Sequence, residues 1–373
     1  MSKSNFNNFS FVMFGRIISS GLQALFYLIF AAMLDPSSYG NLSYIIAIAG
    51  TFSIISRFGL NQTVTIYQAK QESILSNNLN VLSVITTVTA SLILLFFNIY
   101  AALLCLSMSL FIMNIHNFMG LKKYKKYMFV DILKGILIIT LPIIFYFIFE
   151  IPGIVLGMSI SYLVCSLNFL KLLSLRQNNF KNFGINPKIL LHNFGVDLSI
   201  HAPKFVDKLI VFPILGYSMT GIYQLNMQIL FGLEMLPIAL HSFLLSEESS
   251  EKKQTKIIFL AIVISILIAV SSIFIAPFFI EELFPKYSEG IFSLQILLIS
   301  IIPLTINSIL NAKLQAKNST LVGFSAILRI GSLLLFLGLL GNFYDLLGLS
   351  LAVLISISLT TIFLLIIFFK PKN

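Results

Sequence analysis

The chain has 373 residues, of which 58% are hydrophobic and 10% are charged, whereas a typical soluble domain carries about 25% charged residues. Together with a mean hydropathy of +0.97, this composition excludes a soluble globular protein. The net charge of +10 does not indicate nucleic-acid binding, because the basic residues lie between apolar segments and form no patch interleaved with aromatic residues.

Apolar segments of membrane-spanning length recur along the whole sequence. With about 20 apolar residues per span, the length predicts an all-α membrane protein of about twelve transmembrane helices. The first segment is too long for a cleaved signal and has no small-residue cleavage site, so we expect it to remain as the first span. The predicted spans are 9–33, 40–60, 80–97, 99–119, 128–148, 152–171, 190–214, 220–243, 257–280, 290–311, 319–340 and 346–369.

The loops between these spans alternate in charge. One set holds nearly all the loop lysines and arginines, and the other holds Lys286 with mainly acidic residues. By the positive-inside rule the basic set is cytoplasmic, which predicts cytoplasmic N- and C-termini and an even number of spans in the cell inner (cytoplasmic) membrane. The basic set is Lys3, Lys70, Lys122, Lys123, Lys125, Lys126, Lys171, Arg176, Lys181, Lys188, Lys252, Lys253, Lys256, Lys313, Lys317, Lys370 and Lys372.

A faint internal repeat divides the chain. The segment from Met33 to Tyr44 aligns with Ile214 to Leu225 at a constant offset of 181 residues, so that Gly40 matches Gly221. Six spans per half give both halves the same orientation, which makes the repeat parallel. We therefore predict an N-lobe over 1–175, a cytoplasmic linker over 176–188 and a C-lobe over 189–373, with the two lobes forming a V around a central cavity.

Ionisable residues inside the spans mark candidate functional positions, since each costs about 2.5–3.5 kcal/mol at a helix centre. Four in the seventh span follow the spacing i, i+4, i+7, i+11, which places them within roughly 60° of one helix face; these are Asp197, His201, Lys204 and Lys208, with Asp207 at the edge. The first span carries a stripe at the same spacing, and the repeat offset superposes the two; these residues are Arg16, Ser20, Gln23 and Tyr27. The spacing predicts two polar faces toward a shared aqueous cavity. Internal pairing of Asp197 with His201 and of Asp207 with Lys204 is the structural alternative.

Five further charged residues lie within or near the ends of the predicted spans. Arg329 lies near the middle of its span and is expected to face the cavity. Arg57 lies near a span end, where its side chain could equally reach the interface. Glu234 is either a proton-coupling carboxylate or a counter-ion. Asp131 and Lys134, at i, i+3, are expected to form a local ion pair.

The predicted cavity is cationic, which favours an anionic substrate such as a phosphate or pyrophosphate headgroup. Its candidate cations are Arg16, Arg57, Lys204, Lys208 and Arg329, against Asp197, Asp207 and Glu234. The four histidines show no metal-ligand spacing, and the sequence has no phosphate-binding loop motif. We therefore predict no metal, no cofactor and no catalytic residues.

Several residues resemble one known family. Gly15-Arg16, the run from Leu34 to Gly40 and the run from Arg57 to Leu60 are similar to the N-terminal part of oligosaccharide and O-antigen flippases. Asp207-Lys208-Leu209 and Gly221-Ile222-Tyr223 resemble the corresponding seventh and eighth helices. These flippases belong to the MATE-like multidrug, oligosaccharidyl-lipid and polysaccharide exporter superfamily.

The resemblance implies a transporter, not an enzyme. It would flip a polyprenyl-pyrophosphate-linked oligosaccharide, such as an O-antigen or another surface polysaccharide repeat unit, by alternating access. Arg16 matches the cavity arginine of the first helix in lipid flippases. Expected partners are the lipid-linked glycan, membrane lipids, and a glycan polymerase with other surface polysaccharide assembly proteins, but no nucleic acid. The C-terminus lacks the two extra helices of peptidoglycan-precursor flippases, which argues against that substrate.

Two other functions stay open. A MATE-type multidrug exporter would share the architecture, and a glycan-modifying membrane enzyme is the weaker alternative. Coupling to H⁺ or Na⁺ would use carboxylates within the spans, with Asp197, Asp207 and Glu234 as candidates.

Overall fold

The computed structural model describes residues 3–170, 173, 187–248, 254–316 and 321–369. These residues form α-helices joined by short turns. The helices are α1 (Lys3–Met33), α2 (Pro36–Arg57), α3 (Leu60–Ala69), α4 (Ser73–Leu95), α5 (Ile99–Gly120), α6 (Tyr124–Leu170), α7 (Pro187–His201), α8 (Val206–Glu248), α9 (Thr255–Leu283), α10 (Ile291–Leu298), α11 (Ile301–Ala316) and α12 (Leu321–Phe369). The 3₁₀ turns Ala202–Lys204 and Pro285–Gly290 precede α8 and α10. Positions 176–186 of the predicted linker lie outside the described residues, as do positions 171, 172, 174 and 175 before it.

Nine helical segments of the described chain are long and apolar enough to cross a membrane. A helix suits a bilayer because it satisfies its backbone hydrogen bonds internally. The chain is therefore an all-α membrane protein, as predicted. The segments are Ser10–Met33, Pro36–Arg57, Ser73–Leu95, Ile99–Gly120, Tyr124–Phe169, Pro187–Leu245, Thr255–Leu283, Pro285–Gln315 and Gly323–Phe369.

Helix α6 reverses direction in its middle, at Glu150, whose φ of 55° is not helical. Its two arms lie against each other, since Ser161 Oγ donates to the Leu137 carbonyl at 2.8 Å. A Cβ on Gly153 would lie 2.0 Å from the Phe145 carbonyl oxygen, so the arms approach closely. The predicted boundary between the fifth and sixth spans coincides with this reversal.

Helices α8 and α12 reverse in the same way. Gly216, with φ 75° and ψ −175°, interrupts α8, and Tyr223 OH on one arm donates to Asp207 Oδ2 on the other at 3.2 Å. Asp345, with φ 48°, interrupts α12, where Ser356 Oγ donates to the Arg329 carbonyl at 2.8 Å. Three of the nine segments are therefore paired antiparallel helices.

The break after α2 differs from the predicted spans. The sequence was expected to leave the membrane at residue 60 and return at 80, but α3 follows after two residues in the left-handed region, Phe58 and Gly59. Leu60, Asn61 and Val64 of α3 are buried. The prediction missed α3 because its polar residues resemble a loop.

The seventh predicted span, 190–214, is not one continuous helix. Helix α7 ends at His201, the turn Ala202–Lys204 follows, and α8 begins at Val206. Pro203 explains the break, because proline lacks a backbone N–H and clashes with the preceding turn of a helix. The prediction that Asp197, His201, Lys204 and Lys208 share one uninterrupted helix face is therefore wrong.

The chain divides into two compact units. The first contains residues 1–27 and 44–206, and the second contains 28–43 and 207–373. Helix α7 belongs to the first unit, where it contacts α3. The lobe boundaries drawn from the sequence remain a prediction.

Within the second unit, two glycines that the repeat offset aligns contact each other. A Cβ on Gly40 would lie 1.8 Å from the Tyr217 carbonyl oxygen, and a Cβ on Gly221 would lie 2.0 Å from the Pro36 carbonyl oxygen. The offset of 181 residues also pairs Pro36 with Tyr217, so the contact is reciprocal. This local two-fold arrangement is what a parallel repeat produces where equivalent helix ends meet.

Candidate functional site

The first unit places two faces of α1 in different surroundings. Gly15, Ser19 and Leu22 face α6: Ser19 Oγ donates to Asp131 Oδ1 at 3.0 Å, and Cβ atoms built on Gly15 and Gly135 would touch Met128 and Leu22. The predicted polar stripe lies about 100° around the helix. Its members are less buried, with Arg16 and Ser20 exposed and Gln23 and Tyr27 intermediate.

A buried ion pair joins α2 to α7. Arg57 Nη2 lies 3.3 Å from Asp197 Oδ2, and both side chains are only 1% exposed. Arg57 Nη1 also donates to Ser53 Oγ. The expectation that Arg57 reaches the membrane interface or lies open in a cavity is not met here, because its charge is held inside the first unit by Asp197.

The chain builds this pair through the bend between α2 and α3. A Cβ on Gly59 would lie 2.4 Å from the Phe194 backbone nitrogen, and the Phe58 and Phe194 rings lie 4.4 Å apart. Helix α7 therefore docks directly on the bend. Asp197 follows Phe194 by three residues, almost one helical turn, which brings its carboxylate to Arg57.

A neutral polar network extends from the ion pair. Asn61 Nδ2 donates to Asp197 Oδ1 at 3.1 Å and lies 3.4 Å from His116 Nε2. Thr65 Oγ1 contacts His116 Nδ1 at 3.0 Å, and Asn193 Nδ2 donates to Thr63 Oγ1 at 2.9 Å. These bonds offset the cost of burying the charges, since buried polar groups need partners.

Three polar side chains stand outside this buried pair and are more accessible. His201 Nε2 lies 3.7 Å from Asp197 Oδ1 and is 33% exposed, while Arg16 and Lys204 are exposed. The first unit therefore contains five predicted site residues, of which Arg57, Asp197 and His201 are in contact; the other two are Arg16 and Lys204.

In the second unit Asp207 and Lys208 pair with each other. Lys208 Nζ lies 3.0 Å from both carboxylate oxygens of Asp207, and Tyr223 OH donates to the same carboxylate. Both charged side chains are buried. This contact was not predicted from the sequence; in it the charge of the Lys208 ammonium is balanced by the carboxylate of the preceding residue.

A second, more open pair joins the first arm of α12 to the second arm of α8. Arg329 Nη2 lies 3.6 Å from Glu234 Oε1, with the side chains 32% and 18% exposed. Glu234 is thus a counter-ion of Arg329 in this conformation. Arg329 is the more accessible partner, which makes it the candidate anion-binding cation of this unit.

The local pair expected at the start of α6 is confirmed. Lys134 Nζ lies 3.5 Å from Asp131 Oδ1, and both side chains are largely buried. Ser19 completes the site by donating to the same carboxylate. This pair fixes α1 on α6 and gives a structural counterpart to the Arg57–Asp197 pair.

The sequence missed Asn61, His116, Thr65 and Tyr223, since each was judged without its spatial neighbours. The spacing of four residues from Asn61 to Thr65 was the available signal, because it places both polar side chains on one face of α3. Among the described residues, no group of three or more His, Cys, Asp or Glu side chains could hold a metal ion.

Comparison with models of known protein families shows to which family the chain belongs. A family model described as "Polysaccharide biosynthesis protein" matches residues 6–202, more than half of the chain. The chain belongs to this family. No curated protein sequence matches this chain significantly.

Solved structures show the fold of this family member. The structure described as "Lipid II flippase MurJ, inward closed conformation" aligns with a TM-score of 0.73 at 15% identity, covering 97% of this chain and 87% of that chain. An inward-facing multidrug resistance MATE family transporter of the MOP superfamily aligns with a TM-score of 0.61 at 16% identity, covering 91% and 96%. A MOP superfamily transporter from Pyrococcus furiosus aligns at 0.59 and 15%, covering 96% and 93%. This chain therefore shares its fold with these transporters.

Proposed function

We propose that this protein flips a polyprenyl-pyrophosphate-linked oligosaccharide across the cytoplasmic membrane by alternating access. The observation that carries the proposal is the cationic cluster of the first unit, in which Arg57 is paired with Asp197 beside His201, while Arg16 and Lys204 are exposed. A cation within a membrane span has a high energetic cost, so the presence of several of them favours an anionic ligand. Family membership supports a glycan as the cargo.

A pyrophosphate headgroup suits this cluster chemically. Arginine binds phosphate through two parallel hydrogen bonds, and lysine adds a point charge. A charged headgroup held on such side chains avoids transfer through hydrocarbon, which would cost several kcal/mol or more per charge. Arg329, beside Glu234, would provide a second binding position in the other unit.

The proposal includes the architecture and partners predicted from the sequence. Each of the three reversing segments would cross the membrane twice, giving about twelve spans with both termini in the cytoplasm. The predicted lobes would alternate in access while the isoprenoid tail stays in lipid. H⁺ or Na⁺ coupling would use Glu234, Asp197 or Asp207, and the product would pass to a glycan polymerase and other assembly proteins.

Reconstituted vesicles test the proposal. We expect protein-dependent movement of a fluorescent polyprenyl-pyrophosphate oligosaccharide between leaflets, reduced at least tenfold by Arg16→Ala or Lys204→Ala. Lys126→Ala is the matched control, because Lys126 is an exposed lysine at the start of α6 outside the cluster. Equal movement with empty vesicles, or unchanged rates in both cluster variants, would contradict the proposal.

A multidrug exporter is the second candidate, since MATE family transporters share the fold. That function predicts protein-dependent efflux of cationic dyes and no movement of the glycolipid. The positive charge of Arg16 and Lys204 opposes it, because cationic compounds would be repelled. Dye efflux in the same vesicles distinguishes the two functions directly.

A further inference from the structure

The Glu234–Arg329 pair of the second unit is looser than the other ion pair of that unit. Arg329 Nη2 and Glu234 Oε1 are 3.6 Å apart, which is longer than a hydrogen bond. The Lys208 ammonium, by contrast, lies 3.0 Å from both carboxylate oxygens of Asp207, and Tyr223 OH donates to the same carboxylate. The Glu234–Arg329 pair can therefore open at a smaller cost than the Asp207–Lys208 pair.

Other contacts hold the two helix arms that carry Glu234 and Arg329. The first arm of α12 is fixed to the second by Ser356 Oγ, which donates to the Arg329 backbone carbonyl at 2.8 Å. The second arm of α8 is fixed to the turn before α10, where Asn226 Nδ2 donates to the Gly290 carbonyl at 3.1 Å. Opening the ion pair therefore moves two side chains and leaves the helix arms in place.

Both side chains of this pair are more accessible than those of the Arg57–Asp197 pair. Arg329 is 32% exposed and Glu234 is 18% exposed, against 1% for each member of the pair in the first unit. Exposed charges within a membrane span face protein or a water-filled path, because contact with hydrocarbon is costly. In the proposed cavity, water would therefore solvate the displaced carboxylate, and an arriving anion could reach the guanidinium.

We propose that Glu234 drives release of the headgroup: it competes with the bound phosphate for the Arg329 guanidinium and so speeds the departure of the flipped glycolipid. This role rests on the proposed function and assigns one step of it to one residue, which acts through Arg329. A carboxylate and a phosphate offer equivalent acceptor oxygens to a guanidinium, so each can replace the other there. Glu234 is tethered beside this side chain, which gives it a constant effective concentration.

An internal competitor of this kind acts on all anions alike. It lowers the apparent affinity of every headgroup for Arg329 by the fraction of time that the ion pair is closed, so the choice among headgroups is left to other contacts. The benefit is kinetic. A transport site must bind its cargo strongly enough to capture it and weakly enough to let it leave, and product release limits the turnover of many enzymes.

Binding of inorganic pyrophosphate to the purified full-length protein in detergent tests the competition. Isothermal titration calorimetry gives the dissociation constant for wild type, Glu234→Gln, Arg329→Gln and the double variant. Glu234→Gln should bind about fivefold more tightly than wild type, which is the strength of a partly exposed ion pair and equivalent to about 1 kcal/mol. In the Arg329→Gln background the same change should have no effect, because Glu234 acts through Arg329.

Glu281→Gln is the matched control, because Glu281 is an exposed carboxylate of the same unit near the C-terminal end of α9. It should leave the dissociation constant unchanged. Equal tightening in Glu281→Gln, or in both Arg329 backgrounds, would indicate a general effect of charge and overturn the competition. Wild-type affinity in Glu234→Gln would overturn it too. Glu234→Ala, which also removes the carboxylate, takes its place if Glu234→Gln does not fold.

Transport kinetics test the consequence for release. In vesicles, the initial rate at increasing contents of the fluorescent glycolipid gives kcat and KM. Glu234→Gln should lower both about fivefold, because tighter binding slows release, whereas a structural defect would lower kcat without lowering KM. A lower KM with undiminished kcat would overturn the role in release and leave the proposed function intact. Wild-type protein that moves no glycolipid would overturn the proposed function, while the competition measured with pyrophosphate would stand.

Discussion

The two units of this protein handle an arginine inside a membrane span differently. Arg57 of the first unit is 1% exposed and paired with an equally buried Asp197 from a helix distant in sequence. Arg329 of the second unit is 32% exposed and lies 3.6 Å from a partly exposed Glu234. The charge of Arg57 is enclosed by protein and depends on Asp197 for compensation, whereas the side chain of Arg329 is partly exposed at the protein surface.

This difference predicts which of the two arginines contributes to stability and which to ligand binding. Removing one partner of a buried pair leaves an uncompensated charge, which is strongly destabilising. A partly exposed pair that lines an aqueous cavity, as proposed for Arg329 and Glu234, contributes little, because water screens the charges. We therefore expect substitutions at Arg57 to change folding first, and substitutions at Arg329 to change transport first.

The largest expected effect is that of Arg57→Ala. It leaves the Asp197 carboxylate buried without its counter-ion and should lower the free energy of unfolding by about 3–5 kcal/mol, measured by thermal and denaturant unfolding in detergent. The double variant Arg57→Met with Asp197→Leu removes both charges and should recover most of that loss. A single variant no less stable than Arg329→Ala would remove the distinction between the two arginines.

The sequence supplied the membrane class, the reversals near Glu150, Gly216 and Asp345, and the positions of the buried charges. It did not supply their partners. Arg57 and Asp197 are 140 residues apart, and their pairing depends on the bend at Phe58-Gly59 and on the docking of α7 there. Hydropathy predicts neither the bend nor the docking of α7, because the first is a local backbone conformation and the second is a tertiary contact.

The broken seventh span shows the same limit. The polar residues from Asp197 to Lys208 are spaced at intervals of one helical turn, and this spacing alone predicted that they share one face of a continuous helix. Pro203 was visible in the sequence, but proline is tolerated in membrane helices when neighbouring groups satisfy the freed backbone. Whether it kinks a helix or ends it depends on the packing around it.

The second prediction concerns the bend that creates the buried pair. Gly59→Ala places a side chain at φ +75°, where a Cβ would lie 2.4 Å from the Phe194 nitrogen. Strain and displacement of α7 together should cost about 2–3 kcal/mol and weaken the hold of Asp197 on Arg57. Unfolding in detergent measures the cost.

Gly195→Ala is the control for that variant. It lies on α7 itself, and a Cβ there would meet nothing within 4 Å. Alanine in an exposed helical position should stabilise slightly, by about 0.5–1 kcal/mol. If both glycine variants behave alike, the docking of α7 on Gly59 does not determine the stability of the first unit.

The third prediction tests the open pair. Arg329→Gln should change the free energy of unfolding by less than about 1 kcal/mol, because both side chains are partly exposed and water in the proposed cavity would screen the remaining charge. Glycolipid transport in vesicles should fall at least tenfold, since the candidate anion-binding cation is lost. Glu234→Gln serves as the comparison, leaving Arg329 without its counter-ion. Loss of stability with normal transport in Arg329→Gln would reverse the roles assigned to the two arginines.

The smallest effect belongs to a charge outside the spans, which shows what an exposed carboxylate contributes. Asp35 caps α2, where its Oδ2 accepts from the Ser38 backbone N–H at 3.1 Å. Hydrogen bonds from the Ser38 side chain and then its backbone lower the pKa of this carboxyl below its ordinary 3.8. The stabilisation that the Asp35 carboxylate gives the folded protein is therefore present above pH 3.8 and lost as the pH falls through the lower pKa of the folded state.

Asp35→Ala should cost about 1 kcal/mol at pH 7 and progressively less toward pH 3, while Asp35→Asn, which keeps the acceptor, should stay near wild type. Unfolding in detergent across this pH range measures both; a loss in Asp35→Ala as large as that of Arg57→Ala would show that burial does not set the scale of these charge effects.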